Sequence, residues 1–90
     1  MIVVDDEWGI RMLLREVFAE VGITVMEARC YEEAINIAKR FQLDLALVDM
    51  HLGYGCKHNG TDVIESLKNY NPSLCSILVT ANLEDQPIKK

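Results

Sequence analysis

Long apolar runs are missing from this sequence. None approaches the roughly 18 consecutive apolar residues that mark a membrane-crossing helix. The opening Met1-Ile2-Val3-Val4-Asp5-Asp6 lacks the basic start and extended apolar stretch of a secretory signal, so the expected compartment is the cytoplasm. Positive charge is also short: nine Lys and Arg face fourteen Asp and Glu, a net charge of −5. That balance argues against nonspecific nucleic-acid binding, which needs a basic footprint. Cysteines number three, an odd count. Cys30, Cys56 and Cys75 are widely spaced in a chain without an export signal, so free thiols are expected rather than a disulfide framework. No Gly-rich phosphate loop, internal repeat or low-complexity linker is present.

What remains is the composition of an ordinary folded chain. Half of the residues are apolar and 26% are charged, which excludes disorder. Ninety residues make one domain at most, with a modest core. Short apolar runs alternate with segments of helical period. Ile2-Val3-Val4 is a first strand. Ile10, Leu13, Leu14, Val17, Phe18 and Val21 follow at helical spacing, stopped by Gly22. Ile23 to Ala28 reads as a second strand. Tyr31, Ala34, Ile35, Ala38 and Phe41 trace a second helix. Leu43 to Val48 is a third strand, ending at Asp49. A loop over 51–60 precedes a third helix marked by Val63, Ile64, Leu67 and Tyr70 and closed by Asn71-Pro72. Ser76 to Thr80 is a fourth strand. Strands alternating with helices imply parallel pairing through right-handed crossovers. The unalternating apolar strands imply cover on both faces. The expectation is a doubly wound α/β sheet, whose function sits at the carboxyl ends of its strands.

Those ends carry chemistry. The first strand runs into Asp5 and Asp6, the third into Asp49, the fourth into Thr80. Clustered carboxylates raise one another's pKa unless a cation sits among them. Magnesium suits such a set, because it takes oxygen ligands and keeps several waters. A carboxylate in this setting is a nucleophile toward phosphorus, and Thr80 offers a hydrogen-bond donor to a phosphoryl group. The plainer alternative is that an Asp after a strand caps the next helix, and Asp6 stands where it would cap a helix beginning near Trp8.

Val4-Asp5-Asp6-Glu7, Leu47-Val48-Asp49-Met50 and Val79-Thr80-Ala81 resemble, in order, the three signature segments of response-regulator receiver domains. The stretch from Asp5 to Leu14 looks in particular like the single-domain receivers of sporulation phosphorelays. The resemblance implies a flavodoxin-like, three-layer fold with strand order 2-1-3-4, and Asp49 as phosphoacceptor. It implies magnesium held by Asp6, by Asp49, by Asp5 through water and by the main-chain carbonyl of His51. Thr80 would bind the phosphoryl group. The partners would be a sensor histidine kinase or a histidine phosphotransferase, docking at Trp8, Gly9, Ile10 and Leu13; for Leu13, core packing is the competing reading. His51 and Asn82 would tune the lifetime of the phosphorylated state. Nucleic acid and membranes are not expected partners, and the domain would be no enzyme beyond phosphorylating and dephosphorylating itself.

Two departures from the family pattern stand out. Gly53 occupies a position where proline is common, and Gly60 is the best candidate for the glycine that follows the acceptor loop. This points to an insertion of roughly three residues within 54–59, which a surface loop absorbs cheaply. The family also has a fifth strand ending in lysine and a fifth helix beyond it. Neither Lys89 nor Lys90 follows a recognisable strand, so residues 1–90 are expected to form a single receiver domain incomplete at its C-terminus. Its first helix and fourth-strand edge would be open to self-association. A phosphorylation-incompetent binding module is therefore the alternative function. An aspartyl phosphohydrolase is a weaker one, since His51 stands where that class places a second acid. His51, Cys56, His58 and Asp62 match no standard zinc spacing.

Overall fold

The computed structural model describes residues 1–52 and 58–79. Its four strands are β1 (Ile2–Val4), β2 (Met26–Ala28), β3 (Leu45–Asp49) and β4 (Cys75–Val79); its three helices are α1 (Trp8–Ala19), α2 (Tyr31–Arg40) and α3 (Gly60–Tyr70). They alternate in the expected order. The strands form one parallel sheet in the order β2-β1-β3-β4, the flavodoxin-like arrangement.

Register decides what meets at the functional rim. Val4 is level with Ala28 on one side and Val48 on the other, and Asp49 is level with Val79. The next residue after β1, Asp5, therefore lies beside the last residue of β3.

The sheet's two faces differ. Ile2, Val4, Ala46 and Val48 point to one face, where Ala34 and Ala38 of α2 and Val63 and Leu67 of α3 complete the main core. Burying a side chain of Val or Leu size contributes roughly 1.5–3 kcal/mol, and most of that stabilisation is concentrated here. Val3, Leu47, Ile77 and Val79 point to the other face. Val3 is fully buried, but Ile77 and Val79 are exposed. Double cover is thus realised along β1 and fades toward β4, whose residues alternate between exposed and half-buried.

Helix ends follow local chemistry. Helix α1 leaves through Gly22, at φ +83°, a left-handed conformation that suits glycine. The Gly22 amide donates to the Ala19 carbonyl and the Ile23 amide to the Phe18 carbonyl, a Schellman-type ending. Ile23 is thus part of the helix exit, and β2 is shorter than its sequence suggested. Helix α3 begins with a reciprocal capping box. Asn59 accepts from the Asp62 amide at 3.1 Å, and Asp62 accepts from the Asn59 amide at 3.2 Å. In α2 the acids Glu32 and Glu33 lie in the first turn and Lys39 and Arg40 in the last, as the helix dipole favours.

Candidate functional site

At the carboxyl end of β1 the chain passes through Asp5 and Asp6 into α1. Asp5 closes a turn just ahead of the helix: its Oδ1 accepts the Glu7 amide at 2.9 Å. The N-cap itself, Glu7, makes no side-chain capping bond. Asp6 is exposed. On β3, Asp49 Oδ1 accepts the His51 amide at 3.3 Å.

Asp5, Asp6 and Asp49 bring one carboxylate oxygen each to within 4.8 Å of one another. Together with Glu7, Ile10, His51 and Val79 they line a cleft of about 400 Å³. The charges are felt locally. Burial raises the Asp5 carboxyl above its ordinary value, the Glu7 amide opposes this, and the neighbouring charges of Asp49 and Asp6 push it further up. Burial likewise raises Asp49; the His51 amide opposes this and the Asp6 charge adds to it.

Gly60, the first residue of α3, defines the floor behind Asp49. Its amide donates to the Met50 carbonyl at 2.9 Å. A Cβ at this position would overlap the Asp49 carbonyl oxygen and come within 2.8 Å of Leu78 Cδ1 and 2.9 Å of Met50 Cα. The position therefore demands glycine for close backbone approach rather than for a special φ.

The residues expected to meet a partner lie around the cleft. Trp8 is 63% exposed, Leu13 56% and Ile10 40%, and Gly9 is exposed beside them. Leu13 also lines, with Ile10 and Leu14, an apolar groove against Val3, Leu47 and Val79 of the sheet. Thr80, Cys56 and Asn82 lie outside the described residues. His58 stacks against Tyr31, with ring centroids 4.1 Å apart, and its Nδ1 is 3.6 Å from Asp62. Among the described residues, the three aspartates are the sole group of acidic, His or Cys side chains gathered as a metal site would be.

The model of the response regulator receiver domain matches residues 1–90, the whole chain. The chain belongs to the response regulator receiver family. Sporulation initiation phosphotransferase F of Bacillus subtilis is 31% identical over 81 residues, covering 90% of this chain; the chain spans 63% of that protein's length. Among solved structures, a response regulator from Burkholderia pseudomallei, with a phosphorylated aspartic acid, calcium ion and citrate, superposes with a TM-score of 0.78. It is 25% identical, and the match covers 86% of this chain and 44% of that one. A CheY-like receiver domain protein from Methanospirillum hungatei superposes at 0.80, with 26% identity, over 92% of this chain and 66% of that one.

Receiver domains are signalling domains of two-component systems. They bind magnesium at an acidic pocket and work with histidine kinases or phosphotransferases. The residues of this receiver suit such an ion. All three donors are hard carboxylate oxygens gathered within 4.8 Å of one another, the ligand type that magnesium takes. Among the described residues, no helix is long and apolar enough to cross a membrane.

Two residues of this region were not singled out in the sequence. Glu7 lines the cleft, yet a third acid after two aspartates carries no distinguishing signal. Arg11 is only 6% exposed. Its signal was its spacing: it lies three and seven residues before Leu14 and Phe18, on the same helical face.

Proposed function

We propose that this receiver accepts a phosphoryl group on Asp49 from a phosphohistidine, with magnesium held by the acid pocket, and then passes on the group or a change of shape. The observation that carries this reading is the seat of Asp49 at the end of β3, with one oxygen of each of Asp5 and Asp6 within 4.8 Å, in a chain of the receiver family. The phosphorylated aspartic acid in the Burkholderia relative supports the same chemistry.

The transfer is a displacement at phosphorus. A carboxylate oxygen of Asp49 forms the new O–P bond, the P–N bond to the donor imidazole breaks, and the departing electron pair stays on that nitrogen. The product is an acyl phosphate. Asp49 is fixed by its place at the end of β3 and by the His51 amide on Oδ1. Asp5 is fixed by the Glu7 amide, so the acceptor and its neighbour are held before a donor arrives. Asp5, Asp6 and Asp49, with the His51 main-chain carbonyl, are the groups proposed to hold magnesium. The ion supplies charge neutralisation to the phosphoryl oxygens. Thr80 is proposed as a further donor to the phosphoryl group. The exposed Trp8, Gly9, Ile10 and Leu13 are proposed to receive the histidine-bearing partner, and the sporulation-type relay is the subtype we favour.

Intact mass after incubation with acetyl phosphate and magnesium tests this reading. The parent should gain one phosphoryl group and Asp49→Ala none. A folded parent that gains nothing would replace the reading with that of a binding module that does not take phosphate.

A further inference from the structure

We infer that Arg11 is a positioning residue for the acid pocket, acting through the main chain of Asp5. The inference rests on the metal-binding reading above and adds a residue to it. Arg11 leaves the buried side of α1 and crosses to the neighbouring strands. Its Nη1 donates to the Asp5 carbonyl at 2.7 Å, and its Nε donates to Glu27 Oε1 on β2 at 3.1 Å. Its own amide donates to the Glu7 carbonyl. From its seat on α1 the Arg11 side chain thus ties the exit of β1 to the neighbouring β2.

The bond to Asp5 matters because of peptide geometry. The Asp5 carbonyl and the Asp6 amide are one rigid plane. Fixing that oxygen fixes the plane from which the Asp6 Cα departs. The Asp5 amide already donates to Ala28 and the Asp5 carboxylate already receives Glu7. Arg11 supplies the remaining constraint, so both acids leave β1 in defined directions. Asp6 is exposed, and no hydrogen bond to its side chain is seen among the described residues; its placement comes from its backbone. Arg11 suits the task because a guanidinium fork donates to two acceptors at once in fixed directions, which an ammonium cannot do. Glu27 orients and neutralises it at the buried end.

The molecule contains its own control. Arg15 pairs with the other oxygen of Glu27 at 3.0 Å but is 55% exposed at its side chain. Removing Arg15 weakens the same ion-pair group without touching the bond to Asp5.

The test is magnesium affinity, measured by calorimetry on the full chain, for the parent, Arg11→Met, Arg11→Lys and Arg15→Met, each checked for folding by circular dichroism. Partners that orient metal ligands from behind are commonly worth about 10–100-fold in affinity. Both Arg11 variants should weaken magnesium binding by about that factor, and Arg15→Met should match the parent. If Arg11→Met fails to fold, Arg11→Lys decides, because it keeps the charge and most of the buried stem. Parental affinity in Arg11→Lys overturns the inference, as does an equal loss in Arg15→Met. A folded parent that binds no magnesium overturns both the inference and the metal reading beneath it. Parental binding with unaffected Arg11 variants overturns the inference alone.

Discussion

Gly60 and Asp49 meet backbone to backbone: the start of α3 lies so close to the end of β3 that no Cβ fits between them. The nearest obstacles are main-chain atoms and Leu78, so little can move aside. Gly60→Ala should destabilise the chain by about 1–3 kcal/mol, the usual cost of overpacking. It should also slow phosphorylation of Asp49, because any relief displaces β3 at the acceptor. Urea unfolding and a phosphorylation time course check the two parts.

Asn71 closes α3 from inside the protein. It is 5% exposed, and its Oδ1 accepts the Leu43 amide at 3.1 Å. Asn71→Ala leaves that buried donor without its partner, at a cost of about 1–3 kcal/mol. Asn71 is not among the residues lining the acid cleft. Chemical denaturation should therefore show the loss, while phosphate uptake by the folded fraction stays at the parental rate.

The acid pocket gives stability an unusual pH dependence. Burial and neighbouring acids raise Asp5 and Asp49 above the ordinary carboxylate value of 3.8. The folded chain therefore holds these protons to higher pH than the unfolded chain does. Between the two values the folded state binds more protons, so this contribution makes metal-free stability fall as pH rises through that window. Asp5→Asn removes part of the penalty. Without metal it should melt above the parent near neutral pH, and the difference should vanish in acid below the ordinary value. Added magnesium should raise the parent's melting temperature and do little for the variant. Thermal melts across pH, with and without magnesium, decide this.

Trp8 and Leu13 are proposed to serve the partner and not the chemistry. Neither is among the residues lining the acid cleft. Trp8→Ala and Leu13→Ser should accept phosphate from acetyl phosphate at the parental rate. Transfer from a phosphorylated histidine phosphotransferase should fall about tenfold or more, as loss of a central anchor commonly costs 2 kcal/mol or above. Equal rates from the two donors in every variant would remove this face from the docking site.

Much of the architecture was legible in the sequence. Short apolar runs and helical spacing are local signals, and all seven elements appear in the predicted order. Errors concentrate at edges. Ile23 belongs to the exit turn of α1 because its amide is taken by Phe18, a bond that a strand-like composition does not reveal. The strand-end acids gathered as expected, since parallel pairing fixes which ends coincide. Helix α1 begins with no side-chain cap, neither from Asp6 nor from its N-cap Glu7, because where the chain turns, not residue type, decides which side chain reaches a helical amide. The role of Arg11 was hidden for a further reason. A charged residue on an apolar stripe acquires meaning only when its acceptors are known, and here these come from β1 and β2.

The order of the sheet has a kinetic corollary. Asp5 and Asp6 end the first strand and Asp49 the third, yet these strands are adjacent. The intervening segment, containing α1, β2 and α2, must be looped out before the two halves of the pocket meet. Closing such a long loop belongs to the slower, non-local events of folding. A nascent or proteolysed chain lacking β3 can own both N-terminal aspartates and still possess no site. On the proposed metal reading, ligation at these acids would be a proofreading signal for long-range closure, and a cation titration would count only the molecules that have completed it.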